Sequence, residues 1–256
     1  MIDEFVATAE AAADVAAAVV LPFYRKGVAA DLKGDASPVT IADRTAEQAM
    51  RAVIGQRFPD HGILGEEFGL ERPDTRFRWV LDPIDGTRAF ITGRPLFGTL
   101  IGLLDQGRPI LGIIDQPVSR ERWIGVAGRP TRFRGFHGEA SCRQCARLAD
   151  AELSCTSPDM FGEVQEAAFK RLQAATRRTS WGGDCYSYGL VALGSIDVIA
   201  EAGLKIWDWA AIVPVIEGAG GLVRSWSGEV LHADASGDVV AVGDPALMPQ
   251  VLAALA

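Results

Sequence analysis

The sequence predicts a mixed fold, α+β in its first half and α/β in its second. Three observations predict it. The chain opens on a long amphipathic helix. Two apolar runs, GTLIGLL and RPILGIIDQP, flank the turn DQG and read as an antiparallel hairpin. Beyond residue 150, short apolar strands alternate with helical stretches.

Ile2 to about Phe23 carries Phe5, Ala9, Ala12, Ala16 and Val19 on one helical face, with Pro22 near its end. A polar stretch, DLKGDASPVTIAD, follows. In it Thr40 and Asp43 stand at capping-box spacing, with Asp in place of the usual Glu. The next helix turns Ala46, Met50, Val53 and Ile54 inward and ends by Pro59. GILGEEFG is a short strand running into a loop. In RWVLDPIDGT an apolar strand, Trp79 to Leu81, runs into acids, a Pro and a Gly. After the hairpin, RERWIGVAG continues the meander. In the second half, residues 151–156 form a strand, 162–175 a helix, RTSWGG a strand, YSYGLVALG a helix and DVIAEAG a strand. WDWAAIVPVIEGAGG reads as one helix ending in glycines that suit a C-cap. GLVRSW and DVVAVG are strands, and a last helix begins near Pro245. No internal repeat or low-complexity run is present. Two halves, 1–135 and 136–256, meet near residues 130–145 and share one core.

Composition excludes several function classes. The 256 residues hold 25 Lys plus Arg against 33 Asp plus Glu, a net charge of −8, which argues against a nucleic-acid surface. The Ala-rich N-terminus carries Asp3, Glu4, Glu10 and Asp14, so it reads as neither a signal peptide nor a membrane span. The three histidines, at 61, 137 and 232, form no zinc motif. Cys142 and Cys145 form a CxxC with no second pair to complete a metal site, and the thiols read as reduced, in a cytoplasmic protein.

The chemistry gathers around Glu66, Glu67, Asp82 and Asp85, with Asp208 distant in sequence. Asp82 and Asp85 follow an apolar strand directly, where sites tend to be built. Pro83 stiffens the turn, and Gly86 lets a ligand approach the backbone. Thr87 adds a hydroxyl and an amide that can open a short helix toward an anion. Carboxylates, a carbonyl, a hydroxyl and free amides are what a hard cation with a phosphate requires. The alternative is a hydrogen-bonded turn with exposed acids, and DxxDGT alone does not decide between them. There is no P-loop, no D-x-D phosphatase pair and no Cys-x5-Arg loop.

GEEFG, WVLDPIDGTRAF and WDWAAIVPVIEGAGG, in this order, resemble the inositol monophosphatase-like superfamily of Mg²⁺-dependent, Li⁺-sensitive phosphatases. The resemblance runs from KGDASPVTIAD to the last strand. It implies a layered α-β-α-β-α sandwich of the inositol monophosphatase/fructose-bisphosphatase type, and a homodimer. It implies two or three Mg²⁺ per site, held by Glu66, Asp82, the Ile84 carbonyl, Asp85 and Asp208, with Glu67 in an outer position or near a third ion. Asp85, Gly86 and Thr87 would border the phosphate. Asp43, Thr87 and Glu66 would be catalytic, with the Thr87 hydroxyl, paired to Asp43, orienting the attacking water. Lys33 falls near another polar position of the family.

Substrate choice is expected in the second half. Asp184 stands where inositol-specific relatives carry a small apolar residue, and Glu201 matches a position that contacts the alcohol. Two extra carboxylates favour an alcohol bearing cationic groups, as L-histidinol phosphate does. The plainer readings are a helix cap for Asp184 and a solvated strand-end acid for Glu201. DPIDGTRAFITGRPLFGTLIGLL and WGGDCYSYGL resemble the histidinol-phosphatase branch, which accounts for Arg88 after DGT. Arg94 is either a substrate or subunit contact or a surface loop residue. Trp181, Tyr186 and Trp207 read as core or pocket wall. The competing readings are an inositol-1-monophosphatase, a broad sugar-phosphate phosphatase and, in another class, an interaction protein of RNA metabolism with the same fold. The partner expected is a small phosphate ester, with no nucleic acid and no membrane.

Overall fold

The computed structural model describes residues 1–26, 30–32, 38–136 and 138–256, with the side chains of 30–32 and 38–40 left aside. Helix α1 (Ile2–Val20) is followed by a 3-10 turn at Leu21–Phe23. Strands β1 (Ala30–Leu32) and β2 (Pro38–Thr40) pair antiparallel and lead into α2 (Ile41–Arg57). Next come β3 (Gly62–Gly65), β4 (Gly69–Glu71), β5 (Phe77–Asp85), the short helix α3 (Thr87–Ile91), β6 (Gly98–Asp105), β7 (Arg108–Gln116), β8 (Glu121–Val126) and β9 (Arg132–Arg134). The remainder comprises β10 (Glu152–Cys155), α4 (Glu163–Ala175), β11 (Arg178–Trp181), α5 (Asp184–Ala192), β12 (Val198–Glu201), α6 (Ile206–Trp209), α7 (Ile212–Gly218), β13 (Leu222–Ser225), β14 (Val239–Val242) and α8 (Met248–Leu255).

Two sheets carry the fold. The first, of seven strands, runs β4-β3-β5-β6-β7-β8-β9, antiparallel except for the parallel β3–β5 pair. The second, of five strands, runs β11-β10-β12-β14-β13, parallel among its first three strands and antiparallel beyond. Side-chain alternation sorts the layers. Ile101, Leu103, Leu111 and Ile113 face α1 and α2. Leu100, Leu104 and Ile114 face the opposite way, onto α5, α6 and α7. Those helices also take Ile199 and Ala241 from the second sheet, whose Ala200, Val240 and Val242 turn outward to α4 and α8. The expected α-β-α-β-α order results.

Helix α1 is long and apolar enough to cross a membrane, yet Phe5, Ala9, Ala12 and Ala16 are buried in the core. Phe5 meets Phe58 edge-on at 5.0 Å, and His61 stacks on Phe58 at 4.6 Å while accepting the Trp79 indole N–H at 3.1 Å.

Three local readings of the sequence are corrected. GEEFG is the turn of a β3–β4 hairpin rather than a plain loop, with Gly65 paired to Gly69. The β5 strand extends through the acids to Asp85. WDWAAIVPVIEG is two helices, broken at Ala210 and Ala211. Pro214 explains the break: it has no N–H to give the Ala210 carbonyl, and its ring crowds that oxygen. The Thr40 cap and Lys33 lie outside what is described.

Candidate active site

In β5, Asp82 lies opposite Leu100 and Asp85 opposite Gly98, with an irregularity between them. In a regular strand, residues three apart point to opposite faces. The bulge at Pro83 and Ile84 resets that alternation, so both carboxylates reach one cavity. It is pinned by the Thr99 hydroxyl, which donates to the Pro83 carbonyl at 2.7 Å, and by the Ile84 N–H, which donates to Asp82 Oδ1 at 3.0 Å. Gly86 then adopts φ +83° to open α3. A Cβ there would lie 2.8 Å from Asp184 Oδ2, so both the dihedral and the neighbour call for glycine.

The other acids come from distant elements. Asp208 sits on the four-residue α6 and accepts the Lys205 N–H at 2.7 Å. Asp85 Oδ2 accepts the Cys185 N–H, at the start of α5, at 2.5 Å. Oxygens of Asp82, Asp85 and Asp208 lie within 4.8 Å of one another, and those of Asp43, Glu66 and Glu67 form a second such group.

Their electrostatics are those of crowded anions. Burial, then the charges of Glu66, Asp85, Asp43 and Asp208, push the Asp82 carboxyl well above the usual carboxylate range. Asp85 is pushed up likewise by burial and by Asp184 and Asp208, against the pull of hydrogen bonds from Cys185. Asp208 is pushed up to about 7, chiefly by burial. Among the described residues, the charges that act most on Asp82 are all negative. Such a cluster calls for a cation. The donors are hard oxygens with no thiol or imidazole, which fits a Mg²⁺-like ion.

A cavity of about 280 Å³ opens over these groups, lined by Glu66, Asp82, Ile84, Asp85, Gly86, Thr87, Arg88, Asp184 and Asp208 among others. A deeper lobe of about 110 Å³ adds Cys185, Tyr188 and Glu201. Asp43 is buried, in the group with Glu66 and Glu67. The Thr87 hydroxyl donates to the Ile84 carbonyl at 3.1 Å.

Asp184 makes no capping bond. It is the first residue of α5, at φ +43°, and its carboxyl is pushed up to about 6 by burial and by Glu201, with Arg88 pulling it back. Glu201 is not a solvated strand end. It is 3% exposed, and its two oxygens accept the Thr156 N–H at 2.6 Å and the Tyr188 hydroxyl at 2.8 Å. Arg94 is exposed and away from both lobes. Trp181, Tyr186 and Trp207 line neither lobe. Trp181 is 44% exposed, and the Tyr186 hydroxyl donates to Glu121 at 2.8 Å.

Sequence reasoning missed the Thr156–Met160 segment, which walls the main cavity and brings Asp159 to it. The one signal was SPD after a strand, a turn in which the Ser157 hydroxyl accepts the Asp159 N–H at 3.2 Å.

The fold and this acidic cavity define a phosphatase of a known class. The whole chain, residues 1–256, matches the inositol monophosphatase family, and the protein belongs to it. It is 46% identical to the chloroplastic bifunctional phosphatase IMPL2 of Arabidopsis thaliana, over 99% of this chain and 75% of that one. It is 38% identical to a histidinol-phosphatase of Mycobacterium tuberculosis, over 77% and 78% of the two chains. Its structure superposes on an inositol monophosphatase from Zymomonas mobilis with a TM-score of 0.91 and 49% identity, covering 99% and 98%.

Proposed function

We propose that the protein hydrolyses L-histidinol phosphate to L-histidinol and phosphate, with Mg²⁺ as cofactor, in the cytoplasm and as a homodimer. The observation that carries the substrate is Asp184. It is an acid on the cavity wall, packed against Gly86; Asp159 lines the same cavity and buried Glu201 lines the deeper lobe with it. An ammonium or imidazolium on the alcohol would relieve that charge, whereas a neutral polyol would not. The identity to a histidinol-phosphatase agrees with this.

Glu66, Asp82, the Ile84 carbonyl, Asp85 and Asp208 would hold Mg²⁺, and Li⁺ would inhibit. When bound, Mg²⁺ supplies neutralisation of the phosphoryl oxygens and a more acidic water. The chain does the rest. Gly86 and Thr87 present first-turn amides to the phosphate. Asp43 takes the proton of the attacking water, directly or through Thr87. The second path requires the Thr87 hydroxyl to turn from the Ile84 carbonyl. Glu201 holds Thr156 and Tyr188, and so shapes the deeper lobe around the alcohol.

A second reading, an inositol-1-phosphatase, is favoured by the likeness to the Zymomonas mobilis enzyme. A phosphate-release panel with Mg²⁺ separates the two. Histidinol phosphate should give the higher kcat/KM, and a higher value for inositol-1-phosphate overturns the proposal. Asp184→Ala should lower kcat/KM for histidinol phosphate by about tenfold or more, the loss of one charge contact of about 1.4 kcal/mol. Equal losses on both substrates would assign Asp184 to the fold alone.

A further inference from the structure

We propose that Glu47, with Arg51 behind it, is a positioning residue that presets the Glu66–Glu67 turn to receive a divalent cation. The inference rests on the metal-dependent reading above. Asp43, Glu47 and Arg51 recur every four residues on α2, so they stand in a row on one face. The Glu47 side chain is fully buried, and donors converge on its carboxylate. Oε2 accepts the Glu67 N–H at 2.7 Å. Oε1 accepts the Arg51 Nε–H at 2.7 Å and a longer bond from the Phe68 N–H at 3.3 Å. Arg51 also donates to the Gly69 carbonyl at 2.6 Å and pairs with Glu71 at 3.0 Å.

One buried pair therefore grips the β3–β4 hairpin across its turn. The Glu66 N–H is held separately by the Leu81 carbonyl at 3.2 Å, so three successive amides are fixed. The fit is close. A Cβ on Gly65 would lie 2.0 Å from Glu47 Oε1, so only glycine lets the strand reach this carboxylate.

Burial pushes the Glu47 carboxyl up, while the amides and Arg51 pull it down. A buried acid is an uneconomical way to close a turn that backbone bonds could close. Its position supplies a reason. The side chains of the gripped turn are Glu66 and Glu67, and they converge with Asp43 from the same helix. Holding repelling carboxylates in place during folding leaves less ordering to be done when a cation arrives.

Glu47→Gln tests this. Glutamine keeps the shape but offers one acceptor and an NH₂ where three N–H donors converge, so one of them faces another donor. Mn²⁺ titrated calorimetrically into the substrate-free protein should bind about tenfold or more weakly than in wild type. The apparent Mg²⁺ requirement for turnover should rise in parallel, and kcat at saturating Mg²⁺ should stay within a few-fold. A folded Glu47→Gln protein that binds Mn²⁺ as tightly as wild type overturns the proposal. If that variant does not fold, hydrogen exchange of the wild type decides. The Glu67 and Phe68 amides should exchange far more slowly than an open turn, and open-turn rates refute the grip. A wild-type protein that binds no Mn²⁺ instead overturns the metal reading on which this one stands.

Discussion

Replacing Asp82 by Asn should make the metal-free protein more stable while removing its activity. Asp82, Asp85 and Asp208 lie within 4.8 Å of one another. Two unit charges at that separation repel by about 3.5 kcal/mol at an effective dielectric of about 20. Asp82 has two such neighbours, and Glu66 and Asp43 add to them. The protein relieves this by keeping carboxyls protonated, at about 1.4 kcal/mol per pH unit above the free-acid value, or at most about 5 kcal/mol near neutrality. Asparagine keeps the acceptor for the Ile84 N–H and presents its own N–H groups to the neighbouring carboxylates. After about 1–3 kcal/mol for burying the amide, a net gain of about 2 kcal/mol remains. For a chain of this size that is about 4–8 °C in Tm. The assay is thermal unfolding in excess EDTA and again with millimolar Mg²⁺, beside a turnover measurement. Wild type should be stabilised by Mg²⁺ and the variant much less, and turnover should fall at least about a thousand-fold, some 4 kcal/mol. A lower Tm for the variant in EDTA, or near wild-type turnover, would refute the reasoning.

Three further outcomes follow from the same geometry. Asp208 and Asp184 are held up to about 7 and about 6, above the unfolded value, so the stability they lend is complete at low pH and is lost as pH rises through those values. The Tm in EDTA should therefore fall from about pH 4 to about pH 7 and level off above. Mg²⁺ binding near pH 6.5 should release protons, and calorimetric heats that do not change with buffer ionisation enthalpy would contradict this. Gly86→Ala should cost about 1–2 kcal/mol for the left-handed backbone. It should also displace Asp184 and lower kcat/KM in steady-state assays, and unchanged kinetics would show that the contact does not matter.

Much of this was legible in the sequence because it was local. The antiparallel meander announced itself by apolar runs around DQG, and the acids of LDPIDGT by their place after a strand. What the sequence hid depends on partners far along the chain. Nothing near Asp85 says that its oxygen meets the Cys185 amide, 100 residues away. Nothing near Glu47 says that the amides of Glu67 and Phe68, some 20 residues on, close over it. The Glu201 partners are hidden for the same reason, because Thr156 and Tyr188 come from other elements. The break at Ala210 comes from Pro214, four residues on, which has no N–H for the Ala210 carbonyl. The same break leaves Asp208 on a separate single turn.

The bulge between Asp82 and Asp85 makes spacing there a matter of parity. Substitution at Pro83 or Ile84 alters packing, but adding one residue to the bulge reverses the strand's in–out count and swings Asp85 to the sheet's other face, whereas removing one keeps both acids on one face and straightens away the bulge that turns the Pro83 and Ile84 carbonyls. This stretch therefore behaves as a ratchet with fixed teeth. Over evolution, or in an engineer's library, its letters can drift while its length cannot, and a survey of tolerated insertions should show a sharp gap at these two positions.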